Sequence, residues 1–228
     1  MVSRGIAGAI ASVLVLVASA EAQPLTYKFL SGSGVGIYGT YKAQLDGANI
    51  DVWCVDFLNH VGAGNQYYVN KTGLGAGVDL SKTRFGLFYG NDPTRYRQAA
   101  YLATKFSTLP STTANWAPLH IAIWQLMTPG VPTVSASMAT TVQTWLSDAA
   151  ANYRKYYYHN VYVLTDVAVA RCASANPANA PWIGCGKQEH IYVDGQLTVT
   201  PEPASVALLA TGLVGLGGAT YLKRRRKA

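Results

Sequence analysis

Between residues 25 and 199 the hydrophobic period changes twice, and this limits the fold more than any other feature of the chain. From about Leu25 to Asn70, apolar and polar residues alternate in segments rich in Tyr, Val and Ile: TYKFL, GIYGTYKAQL, NIDVWCVDF and QYYVN. A period of two is the mark of half-buried strands, and Leu45-Asp46-Gly47 and the stretch around Gly62 and Gly64 supply turns between them. From about Lys82 to Tyr156 the spacing becomes helical. Asp92-Pro93 is a helix start, followed by Ala99, Leu102, Ala103 and Phe106 on one face. Asn115 is the expected cap of the next helix, with Pro118 in its first turn, a core face of Leu119, Ala122, Ile123 and Leu126, and Pro129 at its end. Ser135 is the expected cap of a third, with Met138, Val142, Trp145, Leu146 and Ala149 buried. NVYVLTDVAV and EHIYVDGQLTV then return to strands. Strands, helices and strands again predict an α+β fold: an antiparallel β-framework, barrel or sandwich-like, with an inserted helical segment.

The two ends do not fit this pattern. MVSRGIAGAIASVLVLVASAEAQ has Arg4, a short apolar run and small residues around Ala20 and Ala22. That order is the pattern of a secretory signal peptide, expected to span 1–22 and to leave Gln23 as the mature start. At the other end, residues 205–222 are free of charge and precede Lys223, Arg224, Arg225, Arg226 and Lys227. The run is just long enough to cross a bilayer core, and its glycines are tolerated there, so a C-terminal transmembrane helix is expected. The basic tip would face the inside while the exported body stays outside.

Pro201-Glu202-Pro203, an apolar run and a short basic cluster, in that order, resemble the PEP-CTERM sorting signal of Gram-negative bacteria. The resemblance implies an exosortase as processing partner, the inner membrane as a transient anchor, and release to the outer envelope or extracellular matrix. Three parts are expected: the signal peptide 1–22, a body 23–200, and the sorting signal 201–228.

The formal net charge of +7 would suggest a nucleic-acid partner only if it lay on the body. It does not. The body carries twelve Lys and Arg against nine Asp and Glu, and no nucleic acid is expected. His60, His159 and His190 fit no metal spacing, the GLGAG and GSGVG stretches read as turns, and no G-x-S-x-G elbow is present, so neither a metal nor a cofactor is expected.

Three cysteines remain. Cys172 and Cys185 bracket ASANPANAPWIG, a turn-rich loop, and an exported chain is expected to pair them. Closing such a loop contributes roughly 3 kcal/mol. Cys54 is left over, either a small buried apolar residue or a reactive thiol.

Trp53-Cys54-Val55-Asp56-Phe57, then Ala99-Ala100-Tyr101-Leu102-Ala103, then Leu119-His120-Ile121-Ala122-Ile123-Trp124 are similar in order and character to the Cys-Gln thioester domains of surface adhesins. In that family a strand cysteine condenses with a glutamine four residues before a tryptophan. Carried over, Cys54 holds the nucleophile position and His120 stands where the glutamine belongs. Histidine has no carboxamide, and Gln125 lies about 140° further round the helix. A Cys54–His120 catalytic pair, with Asp56 orienting the histidine, is the other chemistry these residues suggest. His120 also shares a stripe with Trp116, Ile123, Trp124 and Met127, where a histidine is ordinarily a satisfied core residue. The leading expectation is a non-enzymatic envelope or matrix protein that binds extracellular polysaccharide or a surface protein. A covalent thioester adhesin and a Cys-His enzyme are the alternatives.

Overall fold

The computed structural model describes residues 23–175 and 184–200. Six strands close into an antiparallel barrel in the order β1 (Leu25–Ser31), β2 (Tyr41–Leu45), β3 (Ala48–Cys54), β7 (His190–Val193), β6 (Val161–Asp166) and β4 (Gln66–Gly73), with β4 returning to β1. The strands before and after the helices thus share one sheet, and of the two expected frameworks the barrel is the one formed. The β2–β3 turn is tight because Asp46 (φ 47) and Gly47 (φ 83) both occupy the left-handed region, which matches the twist of the flanking strands. A two-stranded ribbon of β5 (Tyr156–Tyr157) and β8 (Thr198–Val199) lies outside the barrel.

Register sorts the side chains. Tyr27 pairs with Leu45 and Tyr67, Phe29 with Ala43, Tyr41 with Val52, and Cys54 with His190, so these residues share one face. Tyr27, Ala43, Val52, Cys54 and His190 are completely buried, which identifies that face as the interior. Trp53, Ile191 and Val163 share the opposite face, where Ile191 and Val163 are buried and α2 packs on β7.

The helical insertion comprises α1 (Arg84–Tyr89), α2 (Thr94–Ala103), α3 (Thr113–Met127) and α4 (Ala136–Asn152), and α5 (Ala168–Ala175) follows β6. Asp92 does mark a helix start, its carboxylate accepting from the Thr94 N–H at 3.0 Å. Helix α3 starts earlier than expected. Thr112, not Asn115, is its cap, and the Thr112 hydroxyl accepts from the Asn115 N–H. Pro118 therefore sits beyond the first turn. In α4 the expected core face is only partly sealed: Val142 and Ala149 are buried, while Met138, Trp145 and Leu146 pack half-exposed. Arg154 and Lys155 lie in a 3₁₀ turn ahead of β5.

One expectation needs correction. No helix among the described residues is long and apolar enough to cross a membrane. The longest of them, α4, has 17 residues and carries Gln, Ser, Asp and Asn along its length, where a span needs about 20 mostly apolar residues. The expected C-terminal transmembrane helix falls on residues outside the described ones, as do the expected signal peptide and the Pro201-Glu202-Pro203 motif. The fold class is corrected to an α+β barrel without that helix. The inner-membrane partner and the membrane-anchored precursor, which depended on it, are withdrawn.

Candidate functional site

Cys54 ends β3, and α3 brings His120 and Trp124 to that strand end. All three side chains are buried. The pairing is not the catalytic one. His120 Nδ1 accepts from the Gly39 N–H at 2.8 Å, which leaves Nε2 to donate to the Cys54 backbone carbonyl at 2.9 Å. Both ring nitrogens are committed to backbone, and neither is bonded to the thiol. The Cys54 Sγ instead accepts from the Trp124 indole N–H at 3.3 Å and donates to the Asp56 carbonyl at 3.3 Å.

The electrostatics agree with this geometry. Burial pushes the Cys54 thiol far above its ordinary range and the Asp56 charge adds to it, while Trp124, the Asp56 backbone and Gln188 only partly oppose them. A nucleophilic cysteine needs the reverse shift. Burial likewise pushes His120 down to about 4, despite its bond to the Cys54 carbonyl. Asp56 does not orient the histidine. Its carboxylate lies 3.0 Å from Arg84 Nε and accepts from Asn59 Nδ2 at 2.8 Å and from the Leu58 N–H. Gln125 donates its amide to the Pro132 carbonyl.

Gln188 carried no signal in the sequence, since it lies in the irregular segment ahead of β7. Its Nε2 donates at 3.0 Å to the Asp56 carbonyl, the same carbonyl that accepts from the Cys54 thiol. A carboxamide thus stands beside Cys54, but not on α3.

Two further groups surround this centre. His190, paired with Cys54 across the strands, stacks on Tyr27 and Phe29, and neither of its ring nitrogens has a hydrogen-bond partner among the described residues. On the other side, Arg84 donates to the Cys185 and Lys187 carbonyls, and its own N–H donates to Glu189. Glu189 also accepts from the Tyr96 and Thr165 hydroxyls, and burial raises it to about 7. The disulfide Cys172–Cys185, with Cα atoms 6.4 Å apart, ties α5 to the segment that Arg84 holds.

These burials make a pH-dependent prediction. Burial, with the nearby His120 adding to it, pushes His190 down to about 3, so it stays neutral in the fold while the unfolded chain takes up a proton near 6.5. Its contribution to stability is intact above the unfolded value and is lost as pH falls below it. Glu189, raised, has the opposite sign: its contribution is lost as pH rises through about 7. A His190→Phe variant keeps the ring stack and removes only the ionisation of the histidine. Its stability relative to the parent should grow by up to about 1.4 kcal/mol per pH unit below 6.5. Thermal unfolding across pH 4–8 checks this, and a pH-independent offset would contradict it.

Residues 199–227 match the family profile described as a PEP-CTERM protein-sorting motif. The chain therefore carries a sorting signal of the kind exosortases act on, which supports an exported, sorted protein. No curated protein and no solved structure matches the chain.

Proposed function

We propose that the protein is an exported cell-envelope or matrix protein, delivered through its C-terminal motif, whose barrel has a non-catalytic binding or structural role. The parts are a leader over 1–22, the body 23–200 and the sorting signal 201–228. The observation that carries the sorting half is where the motif begins. The last strand pairing of the body is Tyr156 with Val199, and the Thr200 N–H donates to the Lys155 carbonyl. The motif match starts at residue 199, so cleavage at or after Pro201 removes no strand. The non-catalytic half is supported by the commitment of His120 to backbone and by the buried, protonated Cys54.

Intact mass of the protein recovered from strains with and without an exosortase tests the sorting. The exosortase strain should yield a chain shortened within 201–228, and its absence should leave the basic residues Lys223 to Lys227 in place. The same full-length C-terminus in both strains contradicts the reading.

One observation favours a second reading, a covalent adhesin: the Gln188 amide beside Cys54. Attack of Sγ on the Gln188 carboxamide carbon would form the C–S bond, break the C–N bond and release ammonia. The unreacted thiol remains the leading reading because its proton is held by the Asp56 carbonyl and its ionisation is opposed by burial.

A further inference from the structure

The outer wall of the barrel carries a groove apart from the Cys54 centre, and neither Cys54, His120 nor Asp56 lines it. It has a volume of about 670 Å³, within the range of sites that hold a drug-sized ligand. One wall is the outer face of β3 and the segment after β7, with Asp51, Trp53 and Gln196. The other is the α2–α3 connection, the first turn of α3 and β5, with Ser107, Thr108, Trp116 and Tyr156.

The geometry points to this groove as a binding site for a neutral saccharide, two or more sugar units of a hydroxyl-rich chain. This deepens the binding role proposed above and rests on it. Three features select that ligand. First, the lining combines aromatic rings with hydroxyls, an amide and a carboxylate. Rings cover the apolar C–H faces of a sugar, while hydroxyl and amide groups both donate and accept, as sugar hydroxyls do. Second, no lysine or arginine among the described residues lines the groove, so an anionic polymer finds no counter-charge there; the nearby Lys42 ammonium lies 2.6 Å from Asp51 and is already paired. Third, the indole nitrogens of both groove tryptophans, Trp53 and Trp116, are buried without a hydrogen-bond partner among the described residues. Such donors are costly to leave unmade, and both residues line the groove. A proline-rich peptide also docks on aromatic grooves, but it brings almost only acceptors, whereas the Ser107 and Thr108 hydroxyls already donate to the Thr104 and Lys105 carbonyls and have only acceptor capacity to offer.

Titration of the full-length protein, followed by tryptophan fluorescence, tests the assignment. The probes are neutral oligosaccharides of β-1,4-glucan, α-1,4-glucan and galactomannan, with alginate as the anionic arm and a polyproline peptide as the peptide arm. At least one neutral glycan should bind, and Trp53→Ala should weaken it about tenfold or more. Ser107 is exposed, so Ser107→Trp should plug the groove without touching the core and abolish binding even where Trp53→Ala lowers stability. No binding by any neutral glycan, preference for alginate or for the peptide, or unchanged affinity in Ser107→Trp overturns the proposal. None of those results changes the C-terminal mass that tests sorting, so the two readings fail separately.

Discussion

Replacing Arg84 with methionine is expected to destabilise the body by about 3–5 kcal/mol, the largest loss of any single polar substitution in this fold. The guanidinium is completely buried and lies 3.0 Å from the equally buried Asp56 carboxylate. It also satisfies the Cys185 and Lys187 carbonyls. Removing it leaves a carboxylate and two peptide oxygens in a dry environment. The backbone N–H of Arg84 still donates to Glu189, so the loss is confined to the side chain. Burial already raises Asp56, with Arg84 the largest opposing influence, and without the cation it should take up a proton on folding. Pairing the change with Asp56→Leu should recover a large part of the loss, because two apolar groups replace an ion pair and not half of one. Urea unfolding of both variants checks this. A single variant within 1 kcal/mol of the parent would show that the Arg84 guanidinium is not what holds α1 to the segments after β3 and before β7.

Trp124→Ala should cost a comparable amount, about 3–5 kcal/mol, by opening a cavity. The ring is 2% exposed and packs against His120 at 4.4 Å and Phe57 at 4.9 Å between centroids. Its N–H is also the donor that Cys54 Sγ accepts. Trp124→Phe separates the two effects. It keeps most of the volume and loses only the donor, so it should cost about 0.5–1.5 kcal/mol plus a small amount for the space left behind. Alanine removes the cover over Cys54, and alkylation of the thiol should accelerate before the protein unfolds globally. Chemical denaturation and labelling of the two variants, run side by side, read both effects. Equal losses in the two would mean that the hydrogen bond contributes more than the packing.

The β-framework was legible because strand period and turn chemistry act locally. Leu45-Asp46-Gly47 announces a hairpin, and the left-handed angles of Asp46 and Gly47 bear this out. Barrel closure was not legible, since it depends on β3 meeting β7 across more than a hundred residues of chain. The cap of α3 was misplaced because Asn115 and Thr112 are both good caps, and the buried ring of Trp116 favours the earlier start. Helix α3 buries eleven of its fifteen residues, so its apolar pattern has no single face from which to read a register. At the centre, sequence placed Cys54 and His120 near each other but not what they bond. The acceptor of the histidine proton is a backbone carbonyl, and backbone contacts leave no trace in residue type. Gln188 reaches the site from a segment without periodicity, and Arg84 from the first residue of the short helix α1. Their side chains matter through tertiary contacts alone.

Native alkylation with iodoacetamide at pH 8, read by intact mass, tests most directly whether Cys54 is unreacted and inert at the base of a closed barrel. The chain should show its full mass with only the disulfide hydrogens missing, remain unlabelled while folded, and take up a single label once denatured without reductant. Trp124→Ala should label in the folded state. A native mass lower by one ammonia, which methylamine then raises by its own full mass as it opens the acyl bond and frees the thiol, would mean that Cys54 and Gln188 have condensed, and rapid labelling of the folded parent would mean a reactive thiol. Either result contradicts an inert Cys54.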